Sequence, residues 1–341
     1  MSIEQELQAT IEELMKKGRG ILAADESVKT ITKRFADVGV ESTDESRRAY
    51  RNLLIMTPGI GDYVSGIILY EETLGQKADD GTPLPAAAQR QGIVPGIKVD
   101  TGTVPLPGAP GDLITQGLDG LSDRLTKYKA QGARFAKWRE VYPITDRNPT
   151  PLGIEANAEM LARYAAACQA QGIVPIVEPE VLLDGDHTME RCAEVTDAVL
   201  HAVFNALYRH RVLLEGMVLK PSMVLPGKGN ARKATADEIA RETLKVLRRN
   251  VPGAVPTLNF LSGGQTPEQA TANLNAMNAL APQAPWHLSF SYARALQDPV
   301  LKLWHGKREN VAAAQRVFLL RAKLNVAAGK GQYKPEMEKA A

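Results

Sequence analysis

The sequence predicts an α/β fold in a single domain, a closed (β/α)8 barrel, on three observations. Eight short apolar or β-branched runs recur at intervals of roughly 30 to 45 residues. Each run is followed by a turn signal and then by a longer helical pattern. No Ser/Gly linker or low-complexity segment divides the 341 residues. Strands and helices alternating with this count are typical of a parallel barrel more than of an open sheet, which usually has fewer strands.

The predicted strands follow from these runs in chain order. They are 20–25 (GILAAD), 63–70 (YVSGIILY), 94–100 (VPGIKVD), 133–139 (ARFAKWR), 174–179 (VPIVEP), 216–224 (GMVLKPSMV), 257–263 (TLNFLSG) and 287–294 (HLSFSYAR).

Helices and loops are predicted between and around the strands. An N-terminal helix places Ile3, Leu7, Ile11 and Leu14 on one face. A second helix, 155–172, ends at a glycine, and a third, 235–250, opens on a Thr-x-x-Glu capping box. The Pro- and Gly-rich stretches 79–96 and 101–112 are predicted to be long surface loops. The last residues, about 328–341, are predicted to form a short flexible tail.

Composition limits the classes of function. The formal net charge is +2, from 41 basic and 39 acidic residues that are mixed along the chain, so no nucleic-acid or membrane partner is indicated. The N-terminus lacks the apolar core of a signal peptide, and no run of about 18 apolar residues occurs. Cys168 and Cys192 lie in helical patterns and imply no disulfide framework. A cytoplasmic protein is expected.

Charged and polar residues end most of the predicted strands. Because chemistry in such barrels occurs at the C-terminal ends of the strands, these side chains should meet at one mouth. A mouth so crowded with charge costs stability unless it is used, so we interpret it as an active site. The residues are Asp25, Glu71, Lys98, Lys137, Arg139, Glu178, Glu180, Lys220, Ser262, Ser291 and Arg294.

Lys220 is the candidate nucleophile. It stands between Leu219 and Pro221 at the end of an apolar run, and lysine is rarely buried without a use. Only a neutral amine attacks a carbonyl, and both desolvation and a neighbouring cation, for which Lys137 is the candidate, favour the neutral form. The product would be a Schiff base, an electron sink that allows an adjacent carbon–carbon bond to break. Such chemistry needs carboxylic acids for proton transfer, and the mouth offers Asp25, Glu178 and Glu180.

Metal catalysis through histidine is disfavoured by spacing. The histidines form no H-x-x-x-H or similar ligand pattern, so no metal or other cofactor is predicted. They are His187, His201, His210, His287 and His305.

Two segments are suited to phosphate. The stretch FLSGGQTPEQA ends a strand at Ser262, turns on Gly263 and Gly264, and enters a helix, so its free backbone N–H groups can bind an anion. Arg294 on the next strand supports this assignment, because the loops after the seventh and eighth strands are the usual phosphate site of these barrels. A second cluster that is suited to phosphate follows the first strand and consists of Ser27, Thr30, Lys33 and Arg34. The alternative explanation for this cluster is the solvated, basic start of a helix.

Seven segments in order, GILAADES, GIKVD, FAKWR, PIVEPE, LKPSMV, FLSGGQ and FSYARALQ, resemble the class I fructose-bisphosphate aldolases along nearly the whole chain. The resemblance implies that Lys220 forms the Schiff base and that Glu178 is the acid/base of its formation. It implies that Asp25 takes the proton of the C4 hydroxyl, that Lys137 assists charge and proton handling, and that Glu180 orients Lys220 and its neighbours.

The resemblance also assigns the substrate contacts. Lys98 and Arg139 would hold hydroxyls or the 6-phosphate. The 1-phosphate would be bound by Ser262, Gly263, Ser291 and Arg294, and the cluster of Ser27, Thr30, Lys33 and Arg34 would serve the other end. It further implies a homotetramer acting on small sugar phosphates without a metal.

The sequence departs from the family at two places. Ala293 stands before Arg294 where a glycine is common, which adds a methyl group beside the anion. Animal members end in a tyrosine that helps proton exchange on the enamine, whereas this sequence reads GQYKPEMEKAA. Tyr333, its last tyrosine, is predicted to be a dispensable surface residue.

The predicted reaction is reversible cleavage of fructose 1,6-bisphosphate to dihydroxyacetone phosphate and glyceraldehyde 3-phosphate. Two alternatives remain open. One keeps the Schiff base and changes the substrate to fructose 1-phosphate or sedoheptulose bisphosphate. The other is an additional role as a scaffold for protein partners.

Overall fold

Eight parallel strands close into a barrel in the structure, a computed structural model that describes residues 2–339 apart from the side chain of Lys17. The strands are β1 (Gly20–Ala24), β2 (Val64–Leu69), β3 (Val94–Lys98), β6 (Phe135–Tyr142), β7 (Val174–Val181), β8 (Val218–Leu219), β9 (Thr257–Phe260) and β10 (His287–Tyr292). A separate antiparallel hairpin joins β4 (Thr103–Pro105) to β5 (Leu113–Thr115). The predicted barrel is confirmed.

Helices lie before, between and after the strands. They are α1 (Ile3–Met15), α2 (Val28–Ala36), α3 (Asp44–Ile55), α4 (Glu71–Leu74), α5 (Leu84–Arg90), α6 (Leu121–Ala130), α7 (Pro151–Ala170), α8 (Met189–Arg209), α9 (Ala236–Asn250), α10 (Pro267–Leu280), α11 (Arg294–Trp304) and α12 (Val311–Ala328). The predicted Thr235–Glu238 capping box at the start of α9 is confirmed. Among the described residues, no helix is long and apolar enough to cross a membrane.

The two ends of the chain close the barrel. Barrel neighbours follow chain order from β1 to β10, and β1 pairs with β10 through Ile21 with Ser291 and Leu22 with Tyr292. The first and last strands therefore lie side by side, and residues that follow both of them share one mouth.

Helix α1 covers the N-terminal end of the barrel. Its Leu7, Ile11 and Leu14 pack into an apolar cluster with inward-facing barrel residues such as Ile68 and Phe135. The predicted N-terminal helix is confirmed, and three of the four residues predicted on its one face are buried. The fourth, Ile3, is 50% exposed at the first turn of the helix. The apolar plug leaves the C-terminal end as the polar mouth.

Both predicted long loops contain regular structure. Stretch 79–96 includes α5, which buries Leu84 and Ala88, and the first residues of β3. Stretch 101–112 includes β4, whose partner β5 is held against β6 because the Thr115 N–H donates to a Glu140 carboxylate oxygen at 3.1 Å. The loop predictions were wrong here because short elements bounded by Gly and Pro resemble loops in composition.

Tyr333 is buried. It is 8% exposed, its hydroxyl donates to Glu338 at 2.9 Å, and its backbone N–H donates to Asn275 Oδ1 at 2.8 Å. Glu338 in turn accepts from Arg321 of α12 at 2.6 Å. The prediction of a surface tyrosine was therefore wrong, because residues beyond α12 pack back onto α10 and α12. Residues 340 and 341 lie outside the described part of the chain.

Candidate functional site

A cavity of about 630 Å³ opens at the C-terminal ends of the barrel strands. Of the sixteen residues assigned to the site, all but Gly264 line it. Gly264 follows the lining residue Gly263 directly in the chain. Glu71, which the strand pattern also placed at the mouth, is exposed at the start of α4 and does not line the cavity.

Lys220 enters the cavity at the end of the shortest barrel strand. Its backbone N–H donates to the Val177 carbonyl at 2.8 Å, which continues the β7–β8 pairing by one residue. The next residue, Pro221, has no N–H and cannot extend the strand in the same way. The Lys220 side chain is buried, with Nζ 3.1 Å from Glu178 Oε1. The sequence thus fixes an ammonium or amine deep in the mouth beside one carboxyl group.

Glu178 lies between two lysines. Its Oε1 faces Lys220, and its Oε2 is 3.4 Å from Lys137 Nζ. Oε2 is buried and accepts no hydrogen bond from the described residues. The Glu178 carboxyl group therefore has an oxygen that no hydrogen bond within this part of the chain occupies, and it lies next to the candidate nucleophile, where proton transfer is needed.

Lys137 is surrounded by carboxylates. Its Nζ lies 2.7 Å from Asp25 Oδ2 and 3.8 Å from Asp100 Oδ2, in addition to Glu178. Burial opposes the charge on Lys137, but Asp25, Glu178 and Asp100 outweigh it and raise its pKa. Lys137 therefore keeps its charge and supplies a permanent cation near Lys220.

Asp25 stays ionised in the same cluster. Burial opposes its charge, but Lys137, Lys220 and Lys98 outweigh burial and hold the pKa of Asp25 well below its usual value. An ionised carboxylate can accept a proton, so Asp25 is equipped to act as a base.

Asp100 is a site residue that the strand-end analysis missed. It is buried, and its Oδ1 lies 2.6 Å from Lys98 Nζ. The signal was present, because Asp100 ends the run VPGIKVD two residues after Lys98, and alternate residues of a strand face the same side. Asp100 therefore ties the β3 lysine to the Lys137 cluster.

Arg139 lies two residues beyond Lys137 on β6 and is paired with Glu180 of β7. Burial opposes the charge on the guanidinium, but Glu180 outweighs it and raises the pKa of Arg139. Glu180 is therefore placed to orient Arg139. Its implied role in orienting Lys220 and the neighbours of Lys220 stays a prediction. Among the described ion pairs, Glu180 has none with Lys220.

The loop after β9 has the expected geometry for an anion. Gly263 and Gly264 have φ values of 57° and 87°, a left-handed backbone that favours glycine. Thr266 caps α10 in a capping box with Gln269, and Pro267 opens the helix, as predicted. Ser291 Oγ is buried on the neighbouring strand and has no hydrogen-bond partner among the described residues. These groups leave donors available to a ligand.

The loop after β1 is differently arranged. Ser27 caps α2 and its Oγ lies 3.1 Å from Thr30 Oγ1, while Lys33 is exposed. Arg34 forms ion pairs with Glu26 and, at 2.9 Å, with Asp298. Glu26 was another missed residue, although it follows Asp25 directly. Its buried carboxylate also accepts from Arg51 at 2.7 Å and from Gln297 at 3.0 Å.

The histidines do not approach this cavity, since none of the five is among its lining residues. Within residues 2–339, no group of three or more His, Cys, Asp or Glu side chains has an arrangement that could hold a metal ion.

Comparison with known proteins decides the family. Residues 6–341 match the family model of class-I fructose-bisphosphate aldolase. This chain belongs to that aldolase family. The cytoplasmic isozyme of fructose-bisphosphate aldolase from Spinacia oleracea is 55% identical over 96% of the chain and 92% of that protein. A probable class 1 fructose-bisphosphate aldolase from Xanthomonas campestris is 53% identical over 98% of the chain and all of that protein.

A solved aldolase structure has the same fold. Fructose-bisphosphate aldolase from Plasmodium falciparum, determined in complex with TRAP and a small-molecule inhibitor, superposes with a TM-score of 0.96. It is 50% identical and covers 97% of this chain and 96% of its own. At this similarity the aldolase family and the barrel are both established for the chain.

Proposed function

We propose that this protein reversibly cleaves fructose 1,6-bisphosphate to dihydroxyacetone phosphate and glyceraldehyde 3-phosphate, through a Schiff base on Lys220 and without a metal. The observation that carries the proposal is the contact of the buried Lys220 Nζ with Glu178, at 3.1 Å, in a cavity that also contains the phosphate-suited loop after β9. Membership of the aldolase family supplies the substrate.

The amine of Lys220 attacks the C2 carbonyl carbon and forms a carbinolamine. Loss of its hydroxyl as water requires a proton, which Glu178 is placed to give, because its carboxyl group is in direct contact with Lys220. The resulting iminium carries the positive charge that draws electrons from the neighbouring bond.

Cleavage then needs a base at the C4 hydroxyl. Asp25 is ionised and lies 2.7 Å from Lys137, so it accepts this proton within a cluster that compensates the change of charge. The C3–C4 bond breaks, its electrons form the enamine on Lys220, and glyceraldehyde 3-phosphate leaves. Protonation of the enamine at C3 and hydrolysis of the iminium release dihydroxyacetone phosphate and regenerate the amine.

The remaining residues bind the substrate. Ser262, Gly263, Gly264, Ser291 and Arg294 hold the 1-phosphate. At the other end, Ser27, Thr30 and Lys33 contact the 6-phosphate, and Lys98 and Arg139 contact the hydroxyls between them. Arg34 shapes this end, since two carboxylates already occupy its guanidinium.

We also infer that the chain acts as one domain in a cytoplasmic homotetramer. The cytoplasmic location is supported by relatives named as cytosolic or cytoplasmic isozymes, and the tetramer by the family resemblance alone. Light scattering of the purified protein measures the oligomer directly.

Trapping the Schiff base tests the mechanism. Borohydride added with dihydroxyacetone phosphate should inactivate the enzyme and leave a reduced adduct on Lys220, located by peptide mass spectrometry. Borohydride without the ketose is the control and should leave activity intact. A chelator should not change turnover.

Other outcomes of this experiment would contradict the proposal. An adduct on Lys98 or Lys137 would reassign the nucleophile. Loss of activity in chelator would rule out the metal-independent mechanism. Faster turnover of fructose 1-phosphate or sedoheptulose bisphosphate than of fructose 1,6-bisphosphate would keep the chemistry and change the substrate.

A further inference from the structure

Lys228 is a cation beside the phosphate loop that the site assignments above do not use. It lies in the PGKG turn after β8, outside the residues that line the cavity. A methyl group built on Gly264 would be 2.6 Å from Lys228 Nζ and 3.2 Å from Arg294 Nη2. The two cationic side chains therefore flank the same glycine.

The backbone around Lys228 is held in place on the loop after β7. The N–H groups of Gly227, Lys228 and Gly229 donate to three carbonyls of that loop at 2.8, 2.9 and 2.8 Å, those of His187, Leu183 and Gly185. Gly227 has to be glycine for this contact, because a Cβ there would lie 2.4 Å from the Gly185 oxygen. The direction of the Lys228 side chain is thus set by a fixed turn.

The partner that Lys228 has in the structure is a weak one. Its Nζ lies 3.3 Å from Asp184 Oδ1, and the Lys228 side chain is about half exposed while that of Asp184 is largely exposed. Charge-assisted hydrogen bonds are usually about 2.7 to 2.9 Å long, and exposed ion pairs contribute little. Lys228 therefore loses little free energy when it leaves Asp184 to bind a more highly charged anion.

Two cations that face one point repel each other unless an anion lies near both. A phosphate carries about two negative charges and several acceptor oxygens, which suits two donors of this kind. We propose that Lys228 is a further phosphate-binding residue that leaves Asp184 and binds, together with Arg294, the phosphate on C1 of the substrate. This inference rests on the proposed function, because that function places the C1 phosphate at the loop after β9.

The test compares Lys228→Met with Lys245→Met, a matched control. Lys245 is also about half exposed and paired with one carboxylate, Glu242 at 3.1 Å, but it lies on helix α9. Lys228→Met should raise KM about 5- to 10-fold and leave kcat within about twofold, because a contact made equally in ground and transition states changes KM alone. The rise should be the same for fructose 1,6-bisphosphate and fructose 1-phosphate, which share the C1 phosphate. Lys245→Met should change neither constant.

Two further variants separate charge from structure. Lys228→Arg keeps the charge and should hold KM within about threefold of the parent. Asp184→Asn removes the competing anion and should lower KM in the parent but not in Lys228→Met. An unchanged KM in Lys228→Met, or a failure of Lys228→Arg to restore it, would overturn the inference.

Binding of glycerol 3-phosphate, measured by calorimetry, keeps this test separate from the proposed function. This ligand has one phosphate and no carbonyl, so it needs no Schiff base. If the parent enzyme failed to trap dihydroxyacetone phosphate, the proposed function would fail, but Kd would still report on Lys228. We expect Kd to rise about fivefold in Lys228→Met and not in Lys245→Met; equal values in the two variants would overturn the inference.

Discussion

The two ends of the cavity each present an arginine, and the two arginines have different surroundings. Arg34, at the β1 end, is paired with Glu26 and Asp298 and is largely buried. Arg294, at the β9–β10 end, is exposed and has no ion pair among the described residues. The hydroxyl of the nearby Ser291 is uncommitted as well, since its Oγ has no hydrogen-bond partner within residues 2–339.

The difference shows that an arginine at a mouth need not bind the ligand. A guanidinium that is already paired with two carboxylates attracts a phosphate only weakly. Its removal leaves a buried carboxylate with one partner fewer. An exposed, unpaired guanidinium keeps its charge for the ligand and costs little stability when removed. We therefore expect Arg294 to control binding and Arg34 to control folding.

The largest expected effect is that of Arg294→Ala. Loss of a bidentate, charge-assisted donor should cost about 2 to 4 kcal/mol in kcat/KM towards phosphorylated ketoses. The free energy of unfolding should hardly change, which denaturant titration would show.

A ketose without the 1-phosphate is the control for this variant. In Arg294→Ala, kcat/KM for this ketose should fall much less than kcat/KM for fructose 1,6-bisphosphate. If kcat/KM fell equally for both substrates, Arg294 would act through structure, and the contrast between the two ends of the cavity would fail.

The next effect is that of Arg34→Met, and it should appear in stability. Glu26, whose side chain is 6% exposed, would lose one partner and keep Arg51 and Gln297. A buried charge that is partly deprived of partners costs about 1 to 3 kcal/mol of the free energy of unfolding. KM should stay within about threefold.

Arg48→Met provides the matched comparison for Arg34. Arg48 also has two acidic partners, Glu45 and Asp79, but both of these are exposed, so its removal should cost under about 1 kcal/mol. A large rise in KM in Arg34→Met, with unchanged stability, would mean that Arg34 releases its carboxylates to bind phosphate.

The smallest effect is expected for Tyr333→Phe. This change tests whether activity at the β9–β10 end of the cavity depends on the contacts that residues beyond α12 make with α10 and α12. The Tyr333 hydroxyl, which this change removes, is linked to that end through Glu338 and Arg321, which donates to the Pro267 carbonyl at the start of α10. The change should leave cleavage within about twofold, or under ~0.5 kcal/mol in the barrier.

Proton exchange into dihydroxyacetone phosphate should be equally unaffected in Tyr333→Phe. Tyr208→Phe, at an 83% exposed tyrosine, is the neutral control. A tenfold fall in exchange with normal Schiff-base formation would show that Tyr333 handles the enamine proton. The buried tyrosine would then belong to the chemistry of the site.

The barrel and its mouth could be predicted because both depend on local patterns. Each strand is an apolar run that ends in a polar residue, and the ends of parallel strands meet whatever the loops do. Strand length was less predictable. The run 216–224 yields only the two-residue strand β8, because Pro221 lacks the N–H that a longer ladder needs. Helix α5 was hidden by flanking glycine and proline, although its three consecutive alanines favour a helix.

Partnerships between distant residues could not be read from the sequence. Arg34 matches a phosphate-binding pattern, and only the fold brings Asp298, 264 residues later, against it. Lys228 shows the opposite case. It belongs to no phosphate-binding pattern in the sequence, and only the fold places its turn, which is on another loop, beside Gly264. Charge at a strand end is a local property, but whether that charge is neutralised depends on tertiary contacts.

Closure of the barrel between β1 and β10 bears on how the protein is made. Asp25 follows the first strand and Arg294 the last, so no catalytic mouth exists until nearly the whole chain has been synthesised. At about 5 to 20 residues per second, the ribosome needs roughly 15 to 50 s between these two residues. During that interval the free edge of β1 can pair with other strands, which makes incomplete chains prone to aggregation. Chains that terminate early should therefore be inactive and short-lived.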